Sequence, residues 1–445
     1  MSFVRASLFA TSLVCFFACG GTTNVAGPTP APQPTAETVV IPHDPPAIPP
    51  DEDATAPVDP HTIYPASHPP IPDMHFGGGR VLASPHMVTV TFAGMDTALR
   101  DYLRDFSQKI LTTDWWTRSM DGYGVGPGTG EKSVELHDSF SDKTTTDADL
   151  KTWIADQITL GKLPFPSGQT VYMLYMPSKA TIDLDGTQSC QGFGGYHNSG
   201  EVTTEAGYSR FVYAVMNECY AQFQGATAQD IMDEQTEVTS HEITEAATDP
   251  DINVPGLKSG YYLTGNDAWA PDQRGGEVGD LCAGRAFKQG PWSVTQVWNM
   301  KSARASHAPC VPELNPVFFS AAPFTEVPGS KLGGAPTSAG YIVVKKGETR
   351  KVEVDVFSTG PTGDIAVVVG KSAYVGGQAF DPYRVKDVAK GVTMSLSSGK
   401  ARNGDKLTLT IVVDPVAPST TTRFTVRALL SKDDYHSWPV ILYVP

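Results

Sequence analysis

The sequence predicts an α+β domain followed by an all-β sandwich, both set behind a long tether. Three observations carry that prediction. Helical and strand periodicities mix between residues 77 and 315; after residue 316 only short strand-like runs remain; and a proline-rich, aperiodic stretch precedes both.

The first residues follow an export pattern. Arg5 supplies a positive start, an apolar run covers residues 6–18, and small residues surround Cys19. The run is too short to span a bilayer, so residues 1–18 read as a cleavable signal. Ala18 before Cys19 is similar to a bacterial lipobox, in which the cysteine is acylated after cleavage. Each buried methylene of such a chain adds about 0.8 kcal/mol of membrane affinity. Residues 19–76, rich in Pro, Ala, Thr and Asp, then form an extended spacer between the membrane and the folded part.

Within 77–315, residues 87–92 alternate as a strand should, and residues 98–110 repeat Leu99, Tyr102, Leu103, Phe106 and Ile110 at helical spacing. A second helix is expected over 147–160, and further strands over 170–176 and 211–216. From 316 onward, strands are expected at 341–344, 351–357, 364–369, 392–396, 406–413, 423–430 and 439–444. Turn formers such as Gly360-Pro361 and Asn403-Gly404-Asp405 separate them. That alternation suggests an immunoglobulin-like sandwich with no catalytic cluster of its own.

The formal charge of -15, without a basic cluster, argues against nucleic acid and against anionic lipid. Contact with a membrane is expected through the lipid anchor alone. Beyond the leader, four cysteines remain: Cys190, Cys219, Cys282 and Cys310. An even number in an exported chain implies disulfides, and sequence order favours Cys190–Cys219 and Cys282–Cys310 among three possible pairings.

The chemistry concentrates in residues 227–282. Thr227-Ala228-Gln229-Asp230 has the form of a capping box, and Pro250 disfavours helix at Asp249, so one helix should fill the interval. Near its end stands Ser240-His241-Glu242-Ile243-Thr244-Glu245. His241 and Glu245, four apart, project from one face and can both reach a metal ion. Glu242 lies where zinc hydrolases carry the general base that takes a proton from the attacking water. On a helical wheel Glu242, Glu245 and Asp249 share the side of Ile231 and Val238, and ionisable groups facing a core are costly unless they bind something. The usual zinc helix has histidine where this one has Glu245, and a site richer in carboxylate acidifies its water less. Asp249 and His197 are the first candidates for a third ligand, with Asp251 and Asp280 behind them. A calcium alternative also exists, because Asp249, Asp251 and Asn253 alternate as oxygen ligands do in calcium loops.

The combination of Cys190, Tyr196-His197, Tyr213-Ala214-Val215, the His241–Asp249 segment, Trp269 and Glu277-Val278-Gly279-Asp280-Leu281-Cys282 resembles bacterial relatives of the plant EXORDIUM, or phosphate-induced, proteins. The resemblance covers roughly residues 81–311. It implies one extracellular domain in which the 277–282 loop lies close to the helix, so that Glu277 and Asp280 orient His241 or bind an ion. The fold expected for the domain is a zincin-like mixed α/β one. Two functional expectations follow: a surface zinc hydrolase acting on protein or cell-wall polymer, or a catalytically silent binder of such polymers, stabilised by calcium.

Overall fold

The computed structural model describes residues 58–131, 133–252, 254–265, 267–270, 276–325, 331–332, 335–336, 340–372 and 381–445. The expected signal, Cys19, the tether up to residue 57, and Asn253 lie outside these.

The first domain is a sheet with helices on both faces. Strand β1 (His86–Phe92) leads into helix α1 (Thr97–Lys109), capped by the Asp96 carboxylate. Helix α2 (Asp147–Thr159), strands β2 (Thr170–Tyr175), β3 (Gly195–Thr204) and β4 (Gly207–Met216), and helix α3 (Ala228–Thr248) follow. β1, β2 and β4 are parallel neighbours, and β3 closes the sheet as an antiparallel edge paired to β4. The expected helices and strands of this region are therefore present, and the hairpin partner β3 is one of several elements beyond them, with helix Asp114–Met120 and strands Ala286–Gln289 and Trp292–Thr295.

Period-2 alternation divides the sheet between two cores. Val88, Val90, Tyr172, Leu174 and Tyr213 pack with Leu150, Ile154 and Ile158 of α2. Met87, Val171, Met173, Val212 and Ala214 face the side of α1 and α3, in one cluster with Leu103, Ile243 and Ala246.

Helix α3 is polar for a buried helix, and its own backbone resolves the conflict. Thr239 Oγ1 donates to Gln235 O at 2.6 Å, Thr244 Oγ1 to His241 O at 2.7 Å, and Thr248 Oγ1 to Thr244 O at 2.9 Å. The capping box at Thr227 and Asp230 forms as expected. Asp249 caps the other end, its N–H donating to Glu245 O at 2.7 Å.

After residue 316 the chain is β throughout its described part. One sheet holds β5 (Phe319–Pro323), β7 (Thr349–Ser358), β10 (Lys406–Val413) and β9 (Val392–Leu396). The other holds β6 (Tyr341–Val343), β12 (Tyr435–Val444), β11 (Thr420–Leu429) and β8 (Ile365–Ser372). Apolar side chains of both sheets share one core.

The tether is shorter than expected. Ala66, Ile71 and Met74 are buried, and His61 Nδ1 lies 2.6 Å from Asn403 O in the second domain. Residues 58–76 are thus folded structure: their apolar side chains, sparse as they are, find partners that local periodicity does not reveal. Both expected disulfides, Cys190–Cys219 and Cys282–Cys310, are formed. Among the described residues no helix is long and apolar enough to cross a membrane.

One buried pair of acids gives the fold a pH dependence. Burial, opposed by the Tyr220 N–H it accepts and reinforced by Glu218, raises the Glu234 carboxyl to about 8, and burial together with Asp96 raises Glu218 to about 7. The folded protein therefore keeps protons that the unfolded chain releases above its ordinary value of 4.5. Stability contributed by these groups is complete below that value and falls as pH rises to about 8. Glu234→Gln should flatten this slope, as read by urea unfolding at a series of pH values.

Candidate metal centre

Three segments bring their acids and imidazoles close together. β3 alternates, so while Tyr196 enters the α2-side core, His197 turns to the opposite face, over α3. The last turns of α3 supply His241, Glu242 and Glu245. The loop ahead of a short 3-10 turn (Asp280–Cys282) supplies Glu277 and Asp280. Val278 is fully buried and its carbonyl accepts from Trp298 N at 2.8 Å, while the Cys282–Cys310 disulfide holds the far end.

Two ligand sets result, and they share Glu245. His241 Nε2 lies 3.1 Å from Glu245 Oε1 and 3.6 Å from Asp280 Oδ1. His197 Nδ1 lies 3.6 Å from Glu242 Oε2 and 3.8 Å from Glu245 Oε2. In each set one atom per residue falls within 4.8 Å of the others, close enough for a single cation. The 277–282 loop is fastened to the helix directly, since Asp280 N–H donates to Glu245 Oε1 at 3.0 Å.

The expected ligands divide accordingly. His241 and Glu245 fall in the first set together with Asp280, which was ranked behind Asp249, while His197 falls in the second with Glu242 and Glu245. Asp249 belongs to neither: its Oδ1 accepts from Gly260 N at 2.8 Å, and only its backbone carbonyl reaches His197, at 3.2 Å. Helix geometry explains this, because Asp249 is the C-cap and its side chain turns to the following loop. Asp251 is held by Arg80, 2.6 Å away, so this member of the calcium-loop alternation is already paired with a cationic side chain. Glu242, expected beside the metal, instead faces His197 in the interior.

Glu277 was expected to orient His241 or to bind an ion. It is buried, with Oε1 lacking any hydrogen-bond partner and lying 3.6 Å from His197 Nε2. Gly279 carried no signal in the sequence beyond its place in the loop. A Cβ there would stand 2.9 Å from both Glu245 Oε1 and His241 Nδ1, although the backbone, at φ -75°, would accept any residue.

Among the described residues no Lys or Arg pairs with Glu242, Glu245, Asp249, Glu277 or Asp280. Protons take up the charge. Burial, with His241 opposing it and Asp280 and Glu242 adding to it, raises Glu245 to about 7. Burial and the surrounding carboxylates push Glu277 far above the usual range. Burial would lower both imidazoles, but Glu245, with Asp280 for His241 and Glu242 for His197, holds them above their ordinary value. Mixed nitrogen and oxygen donors, an orphaned buried carboxylate oxygen and a glycine-lined wall together fit a divalent cation.

No protein-family model and no curated protein matches the chain. Among solved structures, the twitchin kinase region from C. elegans is 20% identical over 24% of this chain, with a TM-score of 0.15. The chain spans 15% of that structure's length. A PapD-like domain of human CEP192 matches 30% of this chain and 89% of its own at 14% identity and a TM-score of 0.17. A nucleoside hydrolase-related hypothetical protein from Saccharophagus degradans covers 81% of this chain and 100% of its own at 9% identity and a TM-score of 0.25. At these scores none indicates a shared overall fold.

Gly279→Ala should drive the added methyl between His241 and Glu245 and weaken the affinity of the site for an added divalent cation about tenfold or more. Competition against a chromophoric chelator reads that loss, and an unchanged affinity would mean that the loop does not shape the centre.

Proposed function

We propose that this chain is an exported, lipid-anchored hydrolase of the metallopeptidase kind, with one zinc ion held by His241, Glu245 and Asp280. The observation that carries the reading is the convergence of those side chains, two from one helical turn and one from a disulfide-held loop.

Accessibility favours this set over the inner one. The His241 and Asp280 side chains are 15% and 11% exposed, whereas His197 and Glu242 are 2% and 5% exposed. Substrate therefore approaches from the His241–Asp280 side. Zinc bound there would act as a Lewis acid on a scissile carbonyl. Glu242 would take the proton that the attacking water gives up as it adds to that carbonyl, and His197 Nδ1, 3.6 Å away, orients the carboxylate and spreads its charge. Glu277 on the other side of the ring, 3.6 Å from His197 Nε2, keeps the imidazole in line.

Imidazole nitrogens in both sets favour zinc over calcium, which takes oxygen ligands throughout. This weighs against the alternative of a silent, calcium-stabilised surface binder. A helix bearing His-Glu-x-x-Glu beneath an antiparallel edge strand supports a zincin-like domain. An acyl chain at Cys19 would hold the protein at the cell envelope, with protein or wall polymer as substrate.

Elemental analysis of the purified protein should find about one equivalent of zinc per chain. His241→Ala should lose it. Glu242→Gln should retain zinc and fold yet lower cleavage of labelled casein by 100-fold or more. Calcium or no metal in the unmodified protein, or full activity in Glu242→Gln, would overturn the reading.

A further inference from the structure

The outer ligand set does not use up the inner one. Glu245 meets His241 Nε2 through Oε1, at 3.1 Å, and meets His197 Nδ1 through its other oxygen, Oε2, at 3.8 Å. Glu242 Oε2 stands 3.6 Å from the same His197 nitrogen. The far side of the ring fixes where its hydrogen sits. His197 Nε2 lies 3.2 Å from the Asp249 carbonyl, which can only accept, so Nε2 donates. In the neutral ring Nδ1 therefore presents a lone pair to two carboxylate oxygens. Three electron-rich atoms face one another with no donor among them.

Their spacing is that of atoms sharing an ion. A nitrogen–oxygen hydrogen bond runs about 2.7–3.2 Å. Donor atoms about 2.0–2.2 Å from a tetrahedral zinc ion stand about 3.3–3.6 Å apart, close to the distances found here. A second observation comes from behind the imidazole. Glu277 is 7% exposed, and its unpartnered Oε1 lies 3.6 Å from His197 Nε2, the nitrogen that the Asp249 carbonyl also engages. A carbonyl or carboxylate behind the ring is how ligating histidines are held, with the opposite nitrogen turned to the metal. Charge points the same way. Among the described residues Glu242, Glu245, Asp249, Glu277 and Asp280 have no Lys or Arg partner, and one divalent ion offsets only part of that buried charge.

We propose that His197, Glu242 and Glu245 form a second divalent-cation site, with Glu245 bridging it to the outer ion through its two oxygens. One nitrogen with two carboxylates suits zinc, whereas calcium takes oxygens throughout. Repulsion from an ion already held on the shared carboxylate makes this the weaker site. The consequence for catalysis rests on the function proposed above. Zinc on Glu242 occupies the electron pair that takes the proton from water, so filling the inner site stops hydrolysis. Excess zinc is thus an inhibitor, acting on the general base.

The test is a zinc titration of the full chain, stripped of metal, followed by calorimetry and by competition with a chromophoric chelator. Two equivalents should bind, the second at least tenfold more weakly than the first. His197→Ala and Glu242→Gln should each weaken the second step at least tenfold and leave the first in place. A single equivalent at saturating zinc would overturn the site, and so would a second step that neither variant moves, which marks an adventitious ion only. Glu242→Gln changes one oxygen to an amide nitrogen, so it decides the question even where His197→Ala fails to fold. Casein cleavage should rise with the first equivalent and fall at least tenfold with the second; a level rate through the second step would overturn the inhibition. Counting ions needs no substrate, so a chain that binds both ions and cleaves nothing would sink the hydrolase reading and leave the second site standing.

Discussion

Glu245 lies between two imidazoles in the protein interior, and the rest of the first domain is arranged around the charge it shares with its neighbours. Taking a carboxylate out of water costs several kcal/mol per ion even after relaxation. Glu242, Glu245, Asp249 and Glu277 are all at least nine-tenths buried. Two imidazoles cannot neutralise so many acids, so the site must hold protons or a cation. Much of the local sequence follows from that requirement. The hydroxyls of α3 satisfy themselves on the helix backbone, Ala246 and Ala247 keep the neighbouring turns slim, and Gly279 lets the loop come close.

Much of this was legible in the sequence because local rules governed it. The capping box, the proline stop and the i, i+4 pair located α3, and cysteine order located both disulfides. What the sequence withheld depends on tertiary contact. Nothing local distinguishes Asp280 from Asp249 as a ligand; the difference is that Asp249 ends a helix and turns away, while Asp280 begins a turn packed against it. Glu242 illustrates the same limit, since its neighbour His197 arrives from an edge strand 45 residues upstream. The folding of residues 58–76 was hidden for a related reason: their partners lie far along the chain, Tyr261 opposite Phe76 and Asn403 342 residues beyond His61.

The two domains are not beads on a string. Trp269 meets both Trp298 and Trp438 at 5.2 Å between centroids, and Arg423 Nη2 donates to Gly265 O at 2.9 Å. Ala268 shares a small apolar cluster with Tyr341 and Ile441. The sandwich thus braces the loops that follow α3, and a change in its first or last strand reaches them.

The bond between Cys282 and Cys310 ties chemistry to geography. Nascent chains in a reducing cytosol carry these sulfurs as thiols, so the segment bearing Glu277 and Asp280 has no covalent clasp before secretion. Oxidation after translocation closes it. The placement of Glu277 and Asp280 against α3 is thereby secured only where the surroundings are oxidising.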